Sequence, residues 1–295
     1  MAAIFLLFLL IIIEFSPAAA QRRNSSITLG SSLSPTSNSN WSSDSGQFAF
    51  GFYPKGDDGF AVGIWYARIL PQTVVWTANR DDPPLSSDTT LLLSSDGRLI
   101  LQQKQGREEP IVTAPQSASS ASMFDSGNFV LYNSDSHIIW QSFDNPTDTL
   151  LPGQRLLAGD GLISSISKAD RSTGKFQLIM QKDGNLVQYP VDGPSKPETA
   201  YWASDTNGAG DNVTLHLDDK GQLYLLNSTG FNIKDLNGGG SLSDKMQYRV
   251  TIDADGIFRL YSHGLDQNGD WAIKWSSSDN KCVPKGLCGP NEYCT

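Results

Sequence analysis

Apolar and polar residues alternate with a period of two in many short runs of this chain, and a glycine turn stands in front of five of them. The five are Asp96-Gly97-Arg98-Leu99-Ile100-Leu101, Ser126-Gly127-Asn128-Phe129-Val130-Leu131-Tyr132, Asp183-Gly184-Asn185-Leu186-Val187-Gln188-Tyr189, Lys220-Gly221-Gln222-Leu223-Tyr224-Leu225 and Asp255-Gly256-Ile257-Phe258-Arg259-Leu260-Tyr261. A period of two is that of a strand, and Asp-Gly supplies the positive φ angles of a tight hairpin turn. Aligned on the glycine, the second residue after it is always large and apolar: Leu99, Phe129, Leu186, Leu223 and Phe258. Strand side chains alternate between faces, so this column is expected to point into a core. The column between (Arg98, Asn128, Asn185, Gln222, Ile257, then Ile100, Val130, Val187, Tyr224, Arg259) varies and is left to specialise. Helical periodicity is scarce, and short strands spaced by turn residues predict an all-β fold. Self-similarity at this spacing marks an internally repeated structure.

Tryptophan follows the same repeat: Trp140, Trp202 and Trp275 each come after one of these strands, while Trp65 and Trp76 belong to earlier ones. An aromatic at a fixed place in a repeat packs more often than it binds, so all five are read as core. The Pro- and Gly-bounded stretch from Asn145 to Gly153 separates two groups of repeats. It divides the chain into residues 21–152 and 153–280 as two domains, flanked by residues 1–20 and 281–295.

The flanks are unlike the body. Ile4 to Ile13 is unbroken Ile, Leu and Phe and leads into Ala18-Ala19-Ala20, the form of a secretory signal peptide cleaved after Ala20. The run is too short to span a bilayer, and no later apolar stretch is long enough, so no membrane span is expected in this sequence. A secretory route makes the sequons at Asn24, Asn40, Asn212 and Asn227 credible glycosylation sites. The three cysteines, Cys282, Cys288 and Cys294, all sit in the last fourteen residues, so the body must hold together by packing alone. Charge narrows the function. With 22 Lys and Arg against 31 Asp and Glu, and no basic cluster, the chain is not built to bind nucleic acid or an anionic membrane.

The third repeat carries the candidate chemistry. Gln181, Asp183, Asn185, Val187 and Tyr189 are spaced two apart and, on an extended strand, share one face. One carboxylate, two amides and a phenol meet vicinal hydroxyls with directed donors and acceptors, and Val187 offers apolar surface to a sugar ring. One carboxylate without histidine neighbours is a poor cation site, so no metal and no cofactor are implied. These residues match in full the Gln-x-Asp-x-Asn-x-Val-x-Tyr signature of the bulb-type, or monocot mannose-binding, lectins, which the chain resembles. By that resemblance Gln181, Asp183, Asn185 and Tyr189 would hydrogen-bond a mannose-like hexose and Val187 would pack on it. The second repeat is a degenerate copy that keeps Asn128, Val130 and Tyr132 but has Phe124 and Ser126 for Gln and Asp.

Further motifs extend the likeness. Val74 to Pro83 and Trp140 to Gly153 resemble hallmark segments of plant S-domain receptor kinases, and Ile27 to Leu33 resembles their G-type lectin branch. Cys282 to Cys294 resembles the opening of that family's EGF-like module, which implies a Cys282–Cys294 disulfide and leaves Cys288 as a candidate free thiol. The resemblance implies tandem β-prism II lectin domains followed by a truncated EGF-like stub. The implied role is non-catalytic recognition of a mannose-type glycan or glycoprotein, secreted into the apoplast or at the cell surface. The alternative is a receptor-type ectodomain whose lectin folds no longer bind sugar and instead serve homodimer or receptor-partner contacts. No nucleotide loop or kinase motif is present, so kinase activity is not expected of this chain. An enzyme of another kind fares no better: His137, His216 and His263 stand apart from any nucleophile and read as surface or turn residues. Asn79-Arg80-Asp81 reads as buried charge pairing at a strand end.

Overall fold

The structure, a computed structural model, describes residues 26–240, 246–265 and 269–286. The leader at residues 1–20, Asn24, Cys288 and Cys294 lie outside the described residues.

The five glycine turns share one hydrogen-bonded form. In each, the residue three before the glycine donates its N–H to the carbonyl of the residue one after it, at 2.8–3.1 Å from Ser94 to Arg98, Phe124 to Asn128, Gln181 to Asn185, Asp218 to Gln222 and Asp253 to Ile257. The glycines sit at φ of 75° to 90°, a region that only glycine enters without strain. At Gly256 a Cβ would also lie 2.7 Å from the Phe176 ring.

The strands fall into two sets of twelve. Strands β1 (Ser26–Thr28), β2 (Ser32–Leu33) and β3 (Trp41–Ser42) each head a different sheet. β3 pairs into β4 (Phe48–Lys55), β5 (Gly59–Tyr66) and β6 (Thr73–Thr77). β2 pairs with β7 (Thr90–Leu93), followed by β8 (Leu99–Gln102) and β9 (Glu108–Pro110). β1 pairs with β10 (Ser120–Met123), followed by β11 (Phe129–Tyr132) and β12 (Ile138–Gln141).

The plan then repeats. β13 (Thr149–Leu150), β14 (Arg155–Leu156) and β15 (Gly161–Ser165) head three more sheets. β15 leads into β16 (Thr173–Met180), β17 (Leu186–Pro190) and β18 (Trp202–Ala203). β14 pairs with β19 (Thr214–Leu217), β20 (Leu223–Leu226) and β21 (Asn232–Asp235), and β13 with β22 (Met246–Ile252), β23 (Phe258–Gly264) and β24 (Ala272–Ser276). All of these ladders are antiparallel. The only helical segments among the described residues are three single 3-10 turns.

Each set closes three sheets around one core. The first core gathers Phe48, Phe50, Ile64, Leu91, Leu99, Phe129 and Leu131, and the second Leu162, Phe176, Leu186, Leu215, Leu223, Phe258 and Leu260. The aligned column behaves as its spacing requires: Leu99 is 1% exposed, and Phe129, Leu186, Leu223 and Phe258 are 0% exposed. Removing each such side chain from water stabilises by about 1.5–3 kcal/mol. Leu150 joins the second core and Leu151 the first, so the packing changes hands within one peptide unit, just before the expected division at 152.

Three expectations need correction. The intervening column is not free at every position, because Ile100, Val130 and Val187 are buried too. Arg259 is buried as well, paired with Asp253 and Asp255. His263 is buried under Trp271 rather than on the surface, whereas His137 is exposed and His216 half-buried. The tryptophans do pack: Trp65 and Trp76 are buried, and Trp140, Trp202 and Trp275 lie half-buried against the two cores.

Arg80 is the third correction. Its guanidinium forms no ion pair among the described residues; it donates to the carbonyls of Ile163, Ser164, Arg171 and Ser172 at 2.8–3.1 Å. Asp81 accepts from the N–H and hydroxyl of Thr173 at 2.7 and 2.6 Å. The segment therefore clamps the first set of strands to the β15–β16 hairpin of the second. Tyr66 Oη to Tyr248 O at 2.8 Å and Trp271 Nε1 to Thr73 Oγ1 at 2.9 Å join the sets elsewhere.

Candidate functional site

The five signature residues do not lie on one strand. Gln181 to Asn185 form the turn, and β17 begins only at Leu186. The turn nevertheless folds the segment back on itself, so that Gln181 Nε2 donates to Tyr189 Oη at 2.9 Å. Asp183 is close enough to be felt by the phenol. Burial raises the Tyr189 pKa, the Gln181 hydrogen bond lowers it, and the Asp183 charge raises it again, leaving it above its ordinary value. Gln181 and Tyr189 thus meet across the turn, with the Asp183 charge acting on the phenol.

Asn185 is held from behind. Its Oδ1 accepts from Ser204 Oγ at 3.0 Å and from Thr206 N at 3.1 Å, while Ser204 Oγ accepts from Leu186 N at 2.9 Å. Asp183 Oδ1 accepts from Asn185 N at 3.0 Å and so shapes the turn. What remains is a directed set. Gln181 Oε1, Asp183 Oδ2, Asn185 Nδ2 and the Tyr189 hydroxyl proton have no protein partner among the described residues. They supply two acceptors and two donors, the complement of a pair of sugar hydroxyls. Asp183 is exposed and Gln181 and Asn185 are half-buried. Val187 lies between Ile179 and Ala203 in the cross-strand register, and both it and Tyr189 are only 2% exposed.

The degenerate copy is used up internally. Asn128 Nδ2 donates to Gln141 Oε1 at 2.8 Å, and its Oδ1 accepts from Ser142 Oγ and Phe143 N, each at 3.2 Å. Val130 is 0% exposed, and Phe124 in the place of Gln181 brings no polar group. Tyr132 is half-buried, with no hydrogen bond to the others. Ser142 and Ser204 play the same part in the two copies, an anchor that the sequence displays as the Ser two residues after Trp140 and Trp202.

Among the described residues no group of His, Cys, Asp and Glu is placed to hold a metal ion. No helix among them is long and apolar enough to cross a membrane. Asn40 and Asn212 are exposed and Asn227 is half-buried. Cys282 is disulfide-bonded.

The family model for D-mannose binding lectin matches residues 73–161. The G-type lectin S-receptor-like serine/threonine-protein kinase LECRK1 of Oryza sativa subsp. japonica is 38% identical over 98% of this chain and 38% of its own length. RLK1 of the same name in Arabidopsis thaliana is 33% identical over 72% of this chain and 28% of its own. The chain belongs to the G-type lectin S-receptor-like family of plants. It spans less than two fifths of the length of these relatives, and what it shares with them is the lectin region. Among solved structures, a monomeric mannose-binding lectin from Gastrodia elata is 26% identical, covering 45% of this chain and 98% of its own, with a TM-score of 0.33. The snowdrop agglutinin complexed with methyl-α-D-mannoside is 27% identical over 41% of this chain and 94% of its own, at a TM-score of 0.31. Within this G-type lectin chain, the matched region ends before the third repeat, so the 181–189 cradle lies outside it.

Proposed function

We propose that this chain is a non-catalytic recognition ectodomain that binds mannose-type glycan through Gln181, Asp183, Asn185, Val187 and Tyr189. One observation carries the reading: four polar atoms on the turn that the Gln181–Tyr189 bond closes have no protein partner among the described residues. The match of residues 73–161 to a D-mannose binding lectin family supports a lectin reading of the chain. On this reading residues 21–152 and 153–280 are tandem lectin domains on an extracellular protein, and residues 281–295 open an EGF-like module. The sequons carry glycans, and Cys282 pairs with Cys294.

A second reading has its own observation. Val187 and Tyr189 are already covered at 2% exposure, as expected of a receptor-type ectodomain that uses the fold to contact protein. Titration of methyl α-D-mannoside into the secreted chain separates the two. A saturable heat supports the sugar site, and silence across a mannose-type glycan array supports the protein-contact reading.

A further inference from the structure

The fifth repeat reproduces the cradle and then fills it. Aligned on the turn glycine, Asp253, Asp255, Ile257, Arg259 and Tyr261 stand where Gln181, Asp183, Asn185, Val187 and Tyr189 stand in the third repeat. The backbone is the same: Asp253 N donates to Ile257 O at 3.1 Å as Gln181 N does to Asn185 O at 2.8 Å. Phe258 N is anchored by Ser277 Oγ at 3.1 Å as Leu186 N is by Ser204 Oγ at 2.9 Å. The contact that closes the cradle is kept as well, since Tyr261 Oη donates to Asp253 Oδ2 at 2.5 Å across the same eight residues.

What differs is the centre. From the Val187 position, Arg259 reaches back into the cradle. It donates from Nη1 to Asp253 Oδ2 at 2.6 Å and Asp255 Oδ1 at 2.8 Å, and from Nη2 to Asp255 Oδ2 at 2.7 Å. Its partners are the two side chains at the positions of Gln181 and Asp183, so the guanidinium occupies the space in which those groups would meet a hexose. Three charge-assisted bonds from the guanidinium, with the Tyr261 hydroxyl, engage Asp253 Oδ2 and both oxygens of Asp255. The surrounding cleft stays open: a volume of about 380 Å³ is lined by Asp253, Asp255, Arg259, Tyr261, Lys168 and Ile273.

We propose that Arg259 is a built-in occupant of the fifth-repeat cradle and keeps it closed to hexose, so that the second set of strands presents one sugar site instead of two. The comparison rests on the sugar reading of the 181–189 cradle. Arg259 fills the centre, and Asp253 and Ile257 are the two other departures from the signature. Asp253→Gln, Ile257→Asn and Arg259→Val together rebuild the full signature at 253–261.

Methyl α-D-mannoside is titrated into the full chain as wild type, as the triple variant, and as the triple variant with Asp183→Asn. The expected result is one sugar per wild-type chain, two per triple variant, and one when Asp183→Asn is added. A wild type and triple variant that both bind one sugar overturn the inference and leave the 181–189 reading standing. Binding by the fourfold variant without binding by the wild type sinks that reading and upholds the occupant. No binding by any of the proteins defeats both. Should the triple variant lose its thermal transition, the pair Asp253→Gln and Arg259→Val is titrated instead. It removes one negative and one positive charge, and the same outcomes apply.

Discussion

Gln181 donates from Nε2 to the phenolic oxygen of Tyr189 at 2.9 Å, and the Tyr189 hydroxyl proton has no protein acceptor among the described residues. The ring itself is held by β16, opposite Gln177, and is almost wholly covered. Tyr189→Phe therefore keeps the packing and loses only the hydroxyl. A neutral hydrogen bond contributes about 0.5–1.5 kcal/mol, so affinity for methyl α-D-mannoside should fall about three- to tenfold. The thermal midpoint should stay within a few degrees of wild type, and calorimetry reads both.

Ser204 links fold and site. Its hydroxyl accepts from the buried Leu186 N–H and donates to Asn185 Oδ1. Ser204→Ala strands a donor in the core at a cost of about 1–3 kcal/mol. For a chain of this size that is a fall of roughly 2–4 °C in Tm for each kcal/mol. It also removes one of the two bonds that hold the Asn185 amide, so sugar binding should weaken in the same variant. A variant that binds as tightly as wild type while losing stability would show that Asn185 does not depend on this anchor.

Much of this architecture can be read from the chain, and the parts that cannot have physical reasons. The five glycine turns announce themselves because a positive φ needs glycine and a buried column needs large apolar residues. Trp65 and Trp76 mark β5 and β6 as strands, but the β4–β5 hairpin lies outside the repeat because it turns through Lys55-Gly56-Asp57-Asp58-Gly59, without the repeat's signature. Heading strands such as β2 and β14 are two residues long and have no period to detect. The residues of the site could be named from their spacing, but their sharing of one strand could not hold, since a turn must intervene before β17. Arg80 and Arg259 escape local pattern for one reason. A guanidinium reaches far enough to bury itself among carbonyls or carboxylates that no local pattern relates to it.

Arg80 is the test of that clamp. Arg80→Met keeps the aliphatic stem and strips the donors from four carbonyls of the β15–β16 hairpin and the residues between its strands. Hydrogen bonds to charged groups contribute about 1.5–3 kcal/mol each and are not additive, so the variant should lose about 2–4 kcal/mol. Denaturant unfolding should split into two transitions, one for each set of strands. A single transition with an unchanged midpoint would show that Arg80 does not couple them.

His216 predicts a pH dependence. Burial, and then the charge of Arg155, lower its pKa below the ordinary 6.5, and its ring is stacked on Tyr224. The unfolded chain therefore binds the proton more readily than the folded one, and stability falls as pH drops below about 6.5 toward the lowered value. His216→Phe keeps the stacked ring and removes the titration. Its stability should vary less with pH across that window. An identical profile in the variant would assign the slope to other groups.

The most direct test of the sugar site is calorimetric titration of methyl α-D-mannoside into the wild-type chain and into Asp183→Asn, both with intact thermal transitions. Asp183 is the cradle's only carboxylate, and a charge-assisted hydrogen bond contributes about 1.5–3 kcal/mol, so the substitution should weaken binding at least tenfold. Saturable wild-type binding that falls by that factor is the predicted result. Equal affinity in the two proteins, or no wild-type binding at all, would contradict the assignment of the 181–189 cradle to sugar.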